Sequence, residues 1–289
     1  MRVRGQIDRR ERIALDAGNH EPMTVATYIL TYREGGVPQR RANLDAVLAW
    51  LARFTQVSVI VVEQDVAPTL PAALPHARCH AVFAYNPGPF NKSWGYNVGA
   101  RLTQSAMLGF GDADVIVGDA LWEAFQLLEH NMLAVKPYRR LLDLSEEESA
   151  PVRAGDFDRI PQRNGAASPN REAIGERIVF AGGSFVIRCE AFQALGGWDE
   201  RFVGWGGEDD AFTYRIERAR LRCTELDVAP ALHLWHPRPR EMTFDQPFYG
   251  ANARLVADYA RYADAQLQRL AEVQLQLNGN IDKHRPERT

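Results

Sequence analysis

Three stretches of the chain carry residues whose type and spacing can do chemistry. In Gly204-Trp205-Gly206-Gly207-Glu208-Asp209-Asp210, consecutive carboxylates follow a glycine-rich turn. Phe212, Ile216 and Ala219 then recur at helical spacing and form one apolar face. This places Glu208, Asp209 and Asp210 in the first turn of a helix, where the dipole favours acids. Adjacent acids repel one another, so a cation or a proton is expected beside them. Gly206 and Gly207 lack the side chains that would hold a substrate off the backbone. The alternative reading is an acidic start to a surface helix. In the second stretch, Asp112-Ala113-Asp114 closes the apolar run Ala106 to Phe110. Carboxylates at i and i+2 point the same way if the pleat continues, and can then share one divalent cation. In the third, His233 and His236, at i and i+3, can converge on a metal as neutral imidazoles.

The elements that must position these groups follow from hydrophobic pattern. Thr24 to Leu30 reads as a strand, followed by Thr31-Tyr32-Arg33 and a loop with Gly35, Gly36 and Pro38. Leu44, Val47, Leu48 and Leu51 fall at helical spacing, and Val57 to Val62 reads as a buried strand ending in Glu63-Gln64-Asp65. Strand, helix, strand implies a parallel sheet, so the chain is an α/β protein. Ligands of such sheets bind at the carboxyl ends of the strands, which sets Tyr32-Arg33 and Glu63-Gln64-Asp65 on one rim. A further strand around Arg78 to Phe83 leads to Phe90-Asn91-Lys92 and Asn97-Val98-Gly99, whose plain reading is a capped, closely packed helix. A helix from Asp119 to Glu129 and a strand from Met132 to Val135 come next. From 138 to 177 the pattern breaks down, with Glu146, Glu147, Glu148, three prolines and Asn164-Gly165, so a long loop and candidate lid are expected there. Order returns at Ile178 to Ile187, then a helix from Glu190 to Leu195 closed by Gly196-Gly197, and a strand from Leu221 to Asp227. Residues 246–278 read as a C-terminal helix that packs on the domain or mediates self-association, and 279–289 as a frayed tail.

Bulk properties narrow the function class. With 289 residues, 46% hydrophobic and 25% charged, the chain reads as one globular domain with extensions. A net charge of −3 without an evident basic stripe argues against nucleic-acid binding. The three cysteines, Cys79, Cys189 and Cys223, show neither metal nor disulfide spacing, which fits a cytoplasmic protein. Residues 1–22 carry Arg2, Arg4, Arg9, Arg10 and Arg12 among acids and read as a disordered tail, with peripheral attachment to anionic lipid as the alternative.

The Trp205-to-Asp210 stretch resembles the Trp-Gly-Gly-Glu-Asp motif of the β1,4-galactosyltransferases and the related bacterial chondroitin-type and capsule glycosyltransferases. Similar blocks recur in the expected order over roughly residues 24 to 240: Tyr32-Arg33, Phe90-Asn91-Lys92 with Asn97-Val98-Gly99, Asp112-Ala113-Asp114, and Phe180 with Gly182-Gly183. The resemblance implies a GT-A fold over residues 23–245, with a mostly parallel sheet and flanking helices. It implies Asp209 as the base that deprotonates an acceptor hydroxyl, Glu208 as an acceptor-binding acid and Trp205 as a sugar-stacking residue. Gly206, Gly207 and Asp210 complete that motif, and Phe180, Gly182 and Gly183 stand beside the donor sugar, Phe180 leaning towards galactose or glucose. Nucleotide contacts are implied for Thr31, Tyr32, Arg33, Glu63, Asp65, Asn91, Lys92, Asn97 and Asp112. Metal contacts are implied for Asp114, His233 and His236, a mixed oxygen and nitrogen set suited to Mn2+ or Mg2+, with His233 where the animal enzymes have Met. The expected activity is inverting transfer of a hexose from a UDP-sugar to a saccharide or glycolipid acceptor, in surface polysaccharide synthesis. Two other classes stand against it: a non-catalytic nucleotide-sugar-binding protein, and a sugar nucleotidyltransferase. The latter needs a basic glycine-rich phosphate loop that Gly35-Gly36 does not supply.

Overall fold

A computed structural model describes residues 26–71, 73–76, 78–161, 178–180, 183–237 and 247–285. At its centre is β1 (Ala26–Tyr32), buried along its whole length. Both faces of this strand are apolar because both are covered. Tyr28 and Leu30 join one core with Trp50 and Phe125, while Ile29 joins the other with Tyr96, Phe110 and Phe212. β1 lies between β2 (Val57–Asp65) and β4 (Met107–Asp112), parallel to both, and β3 (Cys79–Tyr85) pairs in parallel outside β2. The sheet continues through β8 (Ser184–Arg188), antiparallel to its neighbours, then β6 (Ala134–Lys136) and β9 (Cys223–Glu225), giving the order β3-β2-β1-β4-β8-β6-β9. The register aligns Thr31 with Asp112 and Tyr32 with Glu63, so the carboxyl ends of three strands form one rim.

The crossover helices sit on the two faces. α1 (Pro38–Leu51) starts with proline at its first position and buries Leu44, Val47, Leu48 and Trp50. α2 (Lys92–Leu102) is capped by Asn91, which accepts from the Trp94 N–H at 2.8 Å. Gly99 lies so close to Ile29 that a β-carbon there would meet the Ile29 side chain, which fixes how near α2 comes to β1. α3 (Ala120–Glu129) closes the β4 side through Leu121, Phe125 and Leu128. α5 (Cys189–Ala194) and α6 (Glu208–Arg218) pack through Phe192 and Phe212 against Trp198 and Phe185. The Trp198 and Phe212 rings stack with centroids 4.4 Å apart. Such pairs contribute about 0.5–1.5 kcal/mol beyond burial. A second sheet joins β5 (Val115–Ile116), β10 (Ala231–His233) and β7 (Leu141–Asp143), and aligns His233 with both Val115 and Asp143.

The structure corrects three expectations. The stretch expected as an unstructured excursion from 138 contains β7 and then α4 (Glu146–Arg153), which opens with a reciprocal capping box between Ser145 and Glu148 and buries Ser149 and Val152. The three glutamates belong to its first turn, Pro151 to its last, and the lid reading from 162 to 177 falls outside the described residues. The C-terminal segment is two helices, α7 (Tyr249–Arg261) and α8 (Asp264–Leu277), because the backbone extends at Tyr262 and Ala263. They pack on the domain: Tyr259 of α7 is buried with Phe202 and Ala211, and Ala271 of α8 lies against Gly196. Residues 279 to 285 are fastened down. The Trp94 Nε1 donates to the Asn280 carbonyl at 2.8 Å, and Gly279 N and Lys283 Nζ reach the buried Glu200 carboxylate at 2.5 and 2.8 Å. The His284 ring meets Trp94 edge-on at 5.0 Å.

Candidate active site

The acidic stretch begins α6 directly behind Gly207, whose φ of 92° is the left-handed conformation that glycine adopts without strain. A β-carbon at Gly207 would lie 2.8 Å from Val256 and 2.9 Å from Phe202, so the turn also needs the missing side chain for packing. Glu208 points inward and is 9% exposed, and its Oε2 has no hydrogen-bond partner among the described residues. Burial, reinforced by Asp209, pushes its pKa up to about 7 despite Lys92 nearby. Asp209 is partly buried, its carbonyl accepting from Thr213 Oγ1 at 2.9 Å, while Asp210 is exposed.

The cation beside these acids is Lys92, from the first position of α2. Its Nζ lies 3.0 Å from Asp112 Oδ1, 3.5 Å from Asp209 Oδ1 and 3.7 Å from Glu208 Oε1. Burial opposes its charge, but Asp112 and Asp209 outweigh that and raise its pKa. Asp112 also accepts from Tyr96 Oη at 3.3 Å. A narrow crevice opens among Lys92, Tyr96, Phe180, Gly183, Ser184 and Asp209. Phe180 is buried in its wall against Phe185, with its N–H donated to Thr213 Oγ1 at 3.0 Å. The Gly183 carbonyl accepts from Asp112 N at 2.8 Å, and Gly182 lies outside the described residues. Trp205, in the turn that leads into α6, is 40% exposed, with its ring nearly parallel to Tyr249 at 6.2 Å. Asn252 of α7 holds this turn by donating to the Val203 and Trp205 carbonyls at 3.0 and 3.3 Å.

Asp112 and Asp114 diverge and do not converge on one cation, because β4 ends at Asp112 and the chain turns before β5. Asp114 faces the two histidines: Oδ1 is 3.6 Å from His233 Nε2 and Oδ2 is 3.2 Å from His236 Nε2. One ligand atom from each of the three residues lies within 4.8 Å of the others. Burial works against ionisation of Asp114, but the two imidazoles outweigh it and hold the carboxyl well below the usual range. The Asp114 carbonyl accepts from Leu234 N at 2.8 Å, which pins β10 to the turn. On its other side His233 Nδ1 meets Asp143 Oδ1 at 2.5 Å, leaving Nε2 aimed at Asp114. This pairing of carboxylate, imidazole and open ligand position is how proteins orient metal-binding histidines.

The remaining rim residues serve mainly as framework. Arg33 spends its guanidinium on carbonyls: Gln64 at 2.5 Å, Gly88 at 2.8 Å and Asn86 at 3.0 Å. Glu63 is buried and accepts from Thr69 N at 2.7 Å and Leu70 N at 3.2 Å, so it shapes the loop after β2. Asn91 ties its cap to the Glu200 carbonyl at 2.9 Å, and Asn97 brackets Trp198 by accepting from its N–H at 2.9 Å and donating to its carbonyl at 2.8 Å. Thr31 and Tyr32 are buried, while Asp65 stays on the rim, accepting from Val66 N at 2.7 Å. Sequence reasoning missed two site residues. Asp143 carried no motif, although Ser145-x-x-Glu148 announced a helix start two residues on. Lys136 ends β6 opposite Glu225, is 4% exposed with its Nζ 4.8 Å over the Tyr138 ring, and burial lowers its pKa against the pull of Glu225 and Asp209.

The sequence profile of the N-terminal domain of galactosyltransferase matches residues 175–237, the segment that holds Trp205 to Asp210, His233 and His236. No curated protein sequence matches the chain. Among solved structures, the chain is similar to S. aureus TarS 1-349 in complex with UDP-GlcNAc, with TM-score 0.55, 14% identity and coverage of 90% of this chain and 72% of that one. It is similar to a mannosyltransferase from Pyrobaculum calidifontis in complex with GDP-Man and Mn2+, with TM-score 0.52, 16% identity and coverage of 93% and 75%. A Drosophila β1,4-galactosyltransferase 7 mutant in complex with manganese, UDP-Gal and xylobiose aligns at TM-score 0.44 and 19% identity, over 71% of this chain and 66% of that one. Identities this low show the fold, which is the GT-A fold of glycosyltransferases. The matched segment covers the part of the chain that holds the acidic helix start and the histidine pair, and the fold around it is one that glycosyltransferases use.

Proposed function

We propose that the chain moves a hexose from a nucleoside diphosphate sugar, a UDP-sugar, to a saccharide or glycolipid hydroxyl with inversion at the anomeric carbon. The observation that carries this reading is the position of Asp209: a partly buried carboxylate at the head of α6, lining the crevice between Lys92 and Gly183. Asp209 takes the proton of the acceptor hydroxyl, whose oxygen forms a bond to the anomeric carbon from the face opposite the diphosphate. The bond from that carbon to the diphosphate oxygen breaks, and its electron pair leaves with the nucleoside diphosphate. Trp205 offers a partly exposed ring to the acceptor, and the buried Glu208 is the acceptor-binding acid beside the base. Asp112 and Asp65 are the rim carboxylates open to the nucleotide, while Arg33, Glu63, Asn91 and Asn97 hold the loops that receive it.

Asp114, His233 and His236 fit a divalent cation: one carboxylate and two imidazoles converge, and Asp143 fixes the His233 ring. Mn2+ suits this mixed set, and Mg2+ is the alternative. When bound there, such a cation supplies positive charge for the departing diphosphate. The mannosyltransferase neighbour was solved with Mn2+ and a GDP-sugar, and TarS with a UDP-sugar, which supports both partners. Surface polysaccharide is the acceptor pathway that the family resemblance favours, and a cytoplasmic site of action accords with it. No helix among the described residues is long and apolar enough to cross a membrane.

Calorimetric titration with UDP and with UDP- and GDP-sugars, with Mn2+ and with a chelator, tests the reading. Mn2+-dependent binding of UDP and its sugars is expected. Preference for a GDP-sugar would overturn the uridine assignment, and absence of all nucleotide binding would overturn the donor and metal sites together.

A further inference from the structure

We infer that Lys92 is a positioning residue for the base: its ammonium holds the Asp209 carboxylate against the donor-side Asp112, and so sets the place from which the acceptor proton is taken. This inference rests on the glycosyl-transfer reading and gives Lys92 a different task from the nucleotide contact that the family resemblance implies.

The geometry is that of a shared cation. Lysine has three N–H donors and no acceptor. Carboxylate oxygens of Asp112, Asp209 and Glu208 lie at 3.0, 3.5 and 3.7 Å from Nζ, so all three acids are within ion-pair reach of the one ammonium. The ring of Tyr96 lies beneath, its centroid 5.8 Å away, and the Lys92 side chain is 15% exposed. Its backbone cannot drift, because Asn91 both caps α2 and bonds to the Glu200 carbonyl. The stem therefore runs from a fixed helix start to a fixed point between β4 and α6. Three acids converging from these two elements repel one another. Without the cation that repulsion drives Asp209, whose side chain is 18% exposed, away from Asp112. A base displaced by about 1 Å loses on the order of 100-fold in rate. Asp112 is the donor-side group of the cluster, so one ammonium binds the two halves of the site into a single arrangement.

The test compares Lys92→Ala with the intact protein. Expected are unchanged Mn2+-dependent UDP binding by calorimetry, an unchanged acceptor KM, and kcat for transfer lower by about 100-fold. Added n-propylammonium, which can refill the space left by the side chain, should restore kcat in a saturable way. Should the alanine variant fail to fold, Lys92→Met keeps the stem without the charge and should show the same split, with Lys92→Arg recovering turnover. Weaker UDP binding with full kcat at saturating donor would overturn the inference in favour of a nucleotide contact. Lost kcat that neither amine nor arginine recovers would overturn it in favour of a purely structural role. An intact protein that neither binds UDP-sugars nor transfers would instead sink the functional reading itself.

Discussion

Replacing Glu208 by Gln tests the electrostatics of the site through stability alone. In the folded protein the Glu208 pKa is pushed from its ordinary 4.5 to about 7, chiefly by burial and then by Asp209. A folded-state pKa above the unfolded value means that the folded protein holds the proton more tightly. The stabilisation is fully present below about pH 4.5 and is lost as pH rises through 7. The rise corresponds to about 3 kcal/mol of destabilisation by the charged form at alkaline pH. The group is almost entirely out of solvent, with a side chain 10% exposed, so screening removes little of it. Glutamine mimics the neutral acid. In chelator, Glu208→Gln should therefore be more stable than the parent by about 3 kcal/mol at pH 8 and by less than about 1 kcal/mol at pH 5. For a chain of this size that is a rise in Tm of roughly 5–10 °C at pH 8. Thermal or urea unfolding at the two pH values reads it directly. An equal effect at both, or a loss of stability at pH 8, would refute the burial argument for this carboxylate.

Asp209→Asn should lower transfer by about 100-fold or more while leaving UDP affinity intact, as turnover and calorimetry would show. Asp143→Asn should weaken Mn2+ affinity by about 10–100-fold, since His233 loses the partner that orients it, and metal titration followed by calorimetry would detect this. Gly207→Ala should cost about 1–3 kcal/mol, because alanine is strained at φ 92° and meets Val256 and Phe202; chemical denaturation measures the loss. Glu200→Ala should cost about 1–3 kcal/mol by stranding Asn97, Gly279 and Lys283, with an unfolding midpoint lowered accordingly.

What could be read from the sequence was local. The strands β1, β2 and β4 announce themselves as β-branched or apolar runs, and rim logic then puts Arg33, Asp65, Asp112 and Asp114 at their carboxyl ends. Glu208 to Asp210 fall in a first helical turn because Phe212 and Ile216 recur at helical spacing. The roles that stayed hidden arise only when distant segments meet. Arg33 looks like a free cation until β2 and the Gly88 loop present three carbonyls to it. Asp143 and His233 are 90 positions apart and meet because β7 and β10 pair in parallel. The pleat argument for Asp112 and Asp114 failed because β4 stops between them. α4 was obscured by Pro151 and a run of acids that resemble a loop by composition. Its capping box was present in the sequence and was the better signal.

The bond between Trp94 and Asn280 spans 186 positions, and it has a consequence for how the protein is made. At translation rates of roughly 5–20 residues per second, the indole leaves the ribosome about 10–40 s before the carbonyl that receives it. Through that interval the helix carrying Lys92 has its sheet partners but lacks its final fastening, and Glu200 waits for Lys283. A nascent chain halted within α8 would already contain every residue of the acidic cluster and the histidine pair, while Trp94 and Glu200 would still lack these late partners. Residues 278 to 285 are thus among the last of the described residues to be made, and they join Trp94, Trp198 and Glu200 only after the rest of that region is in place.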